Sequence, residues 1–212
     1  MCNVAIFTFN PFQENTYVLF DETNECVIID PGCLTEAEEK TLTDFIESKN
    51  LKPVKLINTH AHLDHIFGNA FVAKKYNLGL EIHKGELLFL QNGQASAARF
   101  GLKMAPSPAP SHFIEEGELI KFGNTELKTL FTPGHSPASI SFYCEKGNFV
   151  IGGDVLFRQS IGRTDLPGAN HQTLLHSIRT QFFTLDDDVK VFSGHGGATT
   201  IGHEKQYNPF LQ

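Results

Sequence analysis

No stretch of about 18 consecutive apolar residues occurs in this chain, roughly the least that a helix needs to cross a bilayer. A membrane span is therefore not expected, and neither is a membrane partner. The opening MCNVAIFTFNPF also lacks the basic segment, apolar core and small-residue cleavage site of a secretory signal, so a soluble, untargeted protein is expected. Basic residues are few and dispersed. Seventeen of them stand against 24 acidic ones, for a formal charge of -7, and no Lys/Arg-rich run could neutralise a phosphate backbone. Nucleic acid is not an expected partner; a small-molecule substrate is. Cysteine forms no C-x-x-C pair. Cys2, Cys26, Cys33 and Cys144 are scattered, and Cys26 and Cys144 fall in apolar, strand-like segments where a thiol acts as a small hydrophobe. That usage fits a reducing, cytoplasmic setting.

What is present suits one sizeable core. With 212 residues, 41% of them hydrophobic, the chain is long enough for one domain and short for two, so a single domain over residues 1–212 is expected. The first thirty residues alternate apolar runs with turns (VAIFTF, TYVLFD, ECVIID), which reads as a three-stranded meander. TEAEEKTLTDFIESKN carries Leu42, Phe45 and Ile46 at helical spacing and crowds acidic residues into its first turn, so an amphipathic helix is predicted there, ending before Pro53. VKLIN reads as a buried strand, GNAFVAKKYN as a helix, GLEIH as extended and residues 84–100 as a further helix. KMAPSPAPSHF reads as a surface loop. The second half repeats the alternation: strands at LIKF, ELKTLFT, SISFYC and NFVIGG, a helix over HQTLLHSIRTQFFTL, then a last strand VKVFS. Such runs suit two sheets packed face to face with helices outside them.

One segment is chemically dense. NTHAHLDHIFGN, directly after the VKLIN strand, places His60, His62, Asp64 and His65 within six positions. On extended backbone, residues two apart point the same way, so His60 and His62 can converge on one ion while a turn at Leu63 redirects Asp64 and His65. A loop of that composition points to metal binding. One loop cannot close two coordination spheres, and three other segments supply candidates. His135 in TPGHSPAS, Asp154 in IGGDVLF and His195 in FSGHGGATT each follow an apolar strand and stand beside glycine or proline, where a tight turn can hold a side chain at a sheet edge. Taken singly, such residues commonly satisfy turn backbone; together with the cluster they read as ligands. His83, His112, His171, His176 and His203 lack that context and read as ordinary, with Asn170 suited to cap the helix that follows it.

THAHLDH, PGH, GGD and SGHG, in that order, resemble the motifs of the metallo-β-lactamase superfamily over nearly the whole chain. The resemblance implies an α+β fold, an αβ/βα sandwich of two mixed β-sheets with helices on the outer faces. GRTDLPGAN and the closing GHEKQYNPFL resemble the short hydrolases related to glyoxalase II. Carried onto this sequence, the resemblance gives one metal to His60, His62 and His135, a second to Asp64, His65 and His195, and a bridging role to Asp154, with Asp64 and Asp154 taken as catalytic. Two divalent ions are implied, zinc first, with iron or manganese compatible with the same imidazole and carboxylate ligands. The expected activity is metal-dependent hydrolysis of a thioester by a metal-bridging hydroxide, on S-lactoylglutathione or another small acyl thioester. A thiol leaving group with a pKa near about 8.5 needs no dedicated general acid.

Departures from the family's patterns sharpen this expectation. Asp154 stands where lactamases with a cysteine ligand place that cysteine, and His62 where flavodiiron proteins carry a carboxylate. Full-length glyoxalase II continues into a helical region with glutathione contacts, whereas this sequence stops soon after His195, so loose thiol preference is expected. Arg158 and Arg163 fall near the implied metal mouth, where a guanidinium could take a substrate carboxylate. Two alternatives stay open: a mononuclear iron persulfide dioxygenase using His60, His135 and Asp154, and, from another class, a non-catalytic metal-binding or interaction protein. No oligomeric state is read from the sequence.

Overall fold

The central strands Glu14–Phe20, Glu25–Ile29 and Phe149–Gly153 are buried on both faces, and that double burial decides the architecture. A computed structural model describes residues 2–212. The first sheet holds β1 (Asn3–Phe9), β2 (Glu14–Phe20), β3 (Glu25–Ile29), β4 (Lys52–Ile57), β5 (Leu80–Ile82) and β6 (Pro110–Phe113) in chain order. β1 to β3 form the antiparallel meander, and β3 to β6 run parallel, with connections long enough to carry helices. The second sheet is built from β7 (Leu119–Phe122), β8 (Thr125–Phe131), β9 (Ile140–Cys144) and β10 (Phe149–Gly153) as an antiparallel run. A small hairpin, β11 (Leu156–Phe157) and β12 (Ser160–Ile161), then leaves the sheet before β13 (Lys190–Ser193) returns parallel to β10 and β14 (Thr199–Thr200) closes the edge.

Alternation sorts the apolar side chains into three layers. Val27 and Ile29 of β3 join Tyr17, Leu19, Ile57, Phe142 and Ile151 in a core between the sheets, while Cys26 and Ile28 face the other way into a layer under the helices. β10 repeats the device, with Ile151 between the sheets and Val150 in the layer under the C-terminal helices. The result is two mixed sheets face to face with helices on the outside, as the sequence implies.

The helices start and stop for local reasons. α1 (Glu36–Ser48) opens on a capping box in which Thr35 Oγ1 accepts from the Glu38 amide and Glu38 Oε2 accepts from the Thr35 amide. α2 (Leu63–Ile66) is one turn lying inside the histidine cluster, and α3 (Asn69–Tyr76) ends on Asn77 in the left-handed region. Residues 84–100 are not one helix. A 3-10 turn (Lys84–Glu86) leads into α4 (Leu87–Gln91), and the helix is interrupted at Asn92, whose φ of -91° and ψ of 4° depart from helical geometry, before α5 (Gly93–Arg99). α6 (His171–Ser177), capped by Asn170 Oδ1 on the Thr173 amide, runs on as a wider-wound turn over Ile178–Phe182. The end of the predicted KMAPSPAPSHF loop is an edge strand, β6, whose leading Pro110 is tolerated at the start of an edge. The closing segment carries a last helix, α7 (Ile201–Tyr207), absent from the sequence reading. Among the described residues no helix is long and apolar enough to cross a membrane.

Candidate metal centre

Five strands of the two sheets end side by side, and each leads to polar residues that meet at a common point. β3 delivers Asp30; β4 leads through Asn58 and Thr59 to His60 and His62; β8 leads to His135, β10 to Asp154 and β13 to His195. α2 turns Asp64 and His65 back into the same space. Two donor groups result: His60, His62 and His135 in one, Asp64, His65 and His195 in the other, with the ligand atoms of each group within 4.8 Å of one another. The Asp154 carboxylate lies between them. Its Oδ2 is 3.4 Å from His135 Nε2 and 3.5 Å from His195 Nε2, and its Oδ1 is 3.5 Å from His65 Nε2.

The imidazoles are oriented from behind. Thr59 Oγ1 donates to Asp30 Oδ2 at 2.6 Å, so its oxygen is left to accept from His60 Nδ1 at 3.0 Å. His65 Nδ1 donates to the same Asp30 Oδ2 at 3.0 Å, His135 Nδ1 to the Arg163 carbonyl at 2.8 Å, and His195 Nδ1 to the Phe12 carbonyl at 3.1 Å. Each of these four rings therefore keeps an N–H on Nδ1 and turns Nε2 inward, the nitrogen that a metal ligand presents once it carries no proton. Asp30 is itself tied by the Thr59 amide at 2.7 Å. His62 differs: its Nδ1 faces His135 Nε2 at 2.8 Å.

Inward atoms without partners test whether these residues fit a metal. His60 Nε2, His65 Nε2 and Asp154 Oδ1 are buried and make no hydrogen bond. Leaving such groups unsatisfied costs about 1–3 kcal/mol each, and more for a charge, which a divalent cation held between them would recover. The donor set, imidazole and carboxylate alone, suits zinc, iron or manganese. The residues fit divalent metal ions.

Electrostatics divide the two groups. Burial, helped by the neighbouring imidazoles, pulls His60 well below the ordinary histidine range and His62 down to about 3, so both stand neutral and ready to coordinate. Burial would also lower His65 and His195, but the Asp154 and Asp64 carboxylates prevail, raising His65 well above its ordinary value and pushing His195 up to about 10. Burial acts to raise Asp64 and Asp154; the facing His65 charge and the hydrogen bond from His195 outweigh it and hold both carboxyls low.

Supporting residues outside the motif complete the site, and three of them lie beyond the sequence reading. Asp30 shares the strand-end, Pro-Gly context of the other ligands (IIDPG) and was legible on that ground. Glu14, fully buried beneath His65, has its carboxyl raised well above the usual range by desolvation. Glu86 is fully buried as well and has no local signal in HKGELLFLQN. The two arginines sit differently from one another. Arg163 is exposed, with its guanidinium forked onto Asp165 at 2.7 Å through Nε and Nη2 while its backbone carbonyl holds His135. Arg158 borders an open depression with Lys190, Thr199, Thr200 and His203. Phe89 flanks His62 at 5.8 Å between ring centroids, and Phe157 flanks His195 at 6.3 Å.

Comparison with known proteins agrees with this geometry. A probable metallo-hydrolase, YqgX of Bacillus subtilis, is 39% identical over 203 residues, covering 95% of this chain and 93% of that protein. The hydroxyacylglutathione hydrolase GloC of Haemophilus influenzae is 38% identical over 214 residues, covering 99% and 98%. Among solved structures, the BLEG-1 B3 metallo-beta-lactamase superposes with a TM-score of 0.91 at 35% identity over 99% of this chain and 100% of its own. TTHA1623 in a di-iron-bound form superposes at 0.88 with 36% identity over 98% and 100%. The family model of the metallo-beta-lactamase superfamily matches residues 9–195, a span that takes in all seven ligand candidates from His60 to His195, and the chain belongs to that superfamily.

Proposed function

We propose that this protein hydrolyses small acyl thioesters, with two divalent ions, zinc first, held by His60, His62 and His135 and by Asp64, His65 and His195. One observation carries the reading: a single carboxylate, Asp154, lies within 3.5 Å of imidazoles of both donor groups, as a bridging ligand must. Ions bound there would bring the pKa of coordinated water toward about 7 and polarise a substrate carbonyl. The protein's own groups do the rest. Asp154 fixes the spacing of the two donor sets, and Asp64, whose Oδ2 is 3.2 Å from His195 Nε2, stays ionised and would serve the second set as its carboxylate ligand. Phe89 and Phe157 give the mouth apolar walls that exclude water from an acyl chain. Expulsion of a thiolate asks for no further acid. The hydroxyacylglutathione hydrolase relative supports the choice of thioesters. Arg163 would have to exchange Asp165 for a substrate carboxylate, and Arg158 would meet only a substrate reaching the β14 edge.

A mononuclear iron dioxygenase acting on persulfides is the second reading, favoured by the contact of Asp154 Oδ2 with His135; the di-iron-bound form of TTHA1623 supports iron as the metal but at two ions. The B3 metallo-beta-lactamase likeness adds lactams to the substrates worth testing. Steady-state kinetics on S-D-lactoylglutathione, on thioesters of smaller thiols, on a chromogenic β-lactam and on a persulfide with oxygen monitoring, using zinc- and iron-loaded protein, separate these. Turnover of thioesters with two metal equivalents supports the proposal; oxygen uptake on the persulfide at one iron per chain overturns it. Arg163→Ala is expected to raise KM several-fold with kcat little changed, the signature of lost uniform binding.

A further inference from the structure

Glu86 is a carboxylate with no solvent exposure, carried by the last residue of the 3-10 turn before α4. Its Oε2 accepts from the Ala61 amide at 3.0 Å; its Oε1 accepts from the Ala138 amide at 2.9 Å and from the Ser136 hydroxyl. Ala61 separates His60 from His62, and Ser136 follows His135. One side chain thus spans the two loops that supply every imidazole of the first donor group. These loops descend from different sheets, β4 from the first and β8 from the second, and besides the Glu86 side chain they are joined by a backbone hydrogen bond from the Ile140 amide to the Thr59 carbonyl at 2.9 Å. A buried carboxylate is costly to desolvate unless it is well paired, and here three donors meet it. The first donor group also consists of three imidazoles, whereas the second contains Asp64. Glu86 is the carboxylate behind the imidazole set.

We propose that Glu86 is the positioning residue of the His60, His62 and His135 site, fixing the gap between its two loops and setting that site's metal affinity without touching the Asp64, His65 and His195 site. The inference rests on the reading that these residues hold metal, and not on the thioester substrate. Removing a residue that orients ligands from behind typically costs about 10- to 100-fold in metal affinity.

The test is cobalt(II) titration followed by its ligand-field absorption. On a His195→Ala background, which isolates the first donor group, Glu86→Gln is expected to weaken cobalt binding about 10- to 100-fold. On a His62→Ala background, which isolates the second, the same substitution is expected to leave affinity within about twofold. Ser136→Ala removes one of the three hydrogen bonds and is expected to give a smaller loss in the same direction, which keeps the proposal testable if Glu86→Gln does not fold. Glu204, an equally buried carboxylate that accepts from Gln159 and Asn208 away from the ligands, supplies the comparison for general destabilisation. Equal losses in both backgrounds, equal losses from Glu204→Gln, or no loss at all would each overturn the proposal. Uptake of a single cobalt by the unsubstituted protein would count against the two-ion reading and leave the Glu86 comparison readable on the first donor group.

Discussion

Asp154 is placed where removing one carboxylate disturbs both donor groups, and His112 is a histidine placed where removal disturbs neither. Asp154→Ala is expected to lower turnover on the order of 1000-fold or more and to release metal, since misplacing the reacting groups by even about 1 Å costs about 100-fold and the bridge sets both halves. His112, half exposed and paired with Glu118 at 2.7 Å, is expected to tolerate alanine with turnover unchanged. Metal content by emission spectroscopy and kcat/KM together decide this, and similar effects from the two substitutions would sink the ligand assignment. Protonation gives a second prediction at this scale. Before an ion binds, His195 holds its proton up to about pH 10, whereas His62 gives its up above about 3. Ligands must be deprotonated to coordinate, so an ion entering the Asp64, His65 and His195 group displaces the His195 proton at neutral pH. The sign follows: between pH 9 and 7, affinity of that group should fall about tenfold per unit per proton displaced, while His60 and His62 add no such slope to the other group. Competition with a zinc chelator across that range, on His195→Ala and His62→Ala proteins, measures both slopes. Equal slopes would refute the division.

Loops at strand ends do the positioning, and their glycines show how little slack they have. Gly194 lies between Ser193 of β13 and His195, with its carbonyl accepting from the Asn15 amide at 2.7 Å and its amide donating to the Gly153 carbonyl at 2.8 Å. A Cβ there would collide with Asp154 Oδ1 and come within 2.7 Å of His65 Cε1. Pinned on both sides, the loop cannot retreat. Gly194→Ala is therefore expected to displace Asp154, with loss of metal and a fall in turnover of about 100-fold or more, measured beside circular dichroism that shows the sheets intact. Full metal occupancy in that variant would contradict the close approach. The strand-then-glycine pattern was legible in the sequence because ligand, turn residue and apolar strand are contiguous there, as at TPGHS, IGGD and FSGHG. Glu86 was not legible, because its partners Ala61, Ser136 and Ala138 lie far away in the chain and a glutamate at a helix start is an ordinary sight. The break between α4 and α5 was hidden as well: residues 84–100 keep helical composition throughout, and the interruption is confined to the backbone angles of Asn92. α7 is short and mostly polar on its open side, so its periodicity is weak; its place is fixed by the Thr200 cap and by Glu204, which accepts from the Gln159 amide at 2.8 Å and the Asn208 side chain at 2.8 Å.

Seen across the whole molecule, the metal centre lies on the seam between the two sheets. The first sheet contributes His60, His62, Asp64 and His65 after β4; the second contributes His135, Asp154 and His195 after β8, β10 and β13. Protein contacts already stitch this end. The Ile140 amide donates to the Thr59 carbonyl at 2.9 Å, Asn15 Nδ2 donates to the carbonyls of Ser193 at 3.1 Å and Gly196 at 2.9 Å, and Tyr17 donates to the Ser193 carbonyl at 2.5 Å. Each donor group draws on both sheets, so every bound ion is also a crosslink between them. Binding to the folded state alone stabilises by the mass-action term, about 2.7 kcal/mol per site at a free metal concentration 100 times Kd. For a chain in this size range each kcal/mol moves Tm by roughly 2–4 °C, so a single filled site should raise Tm by roughly 5–10 °C and two sites by about twice that. Calorimetry of the protein before and after chelation, and again with zinc restored, reads the shift. Asp154→Asn, which keeps the side chain's shape but gives up the charge between the two groups, should show the larger part of the shift abolished, because both sites lose a ligand at once. A Tm unmoved by chelation in the unsubstituted protein would mean that the ions do not tie the sheets together, and the centre would then have to be read as two independent loops that happen to converge.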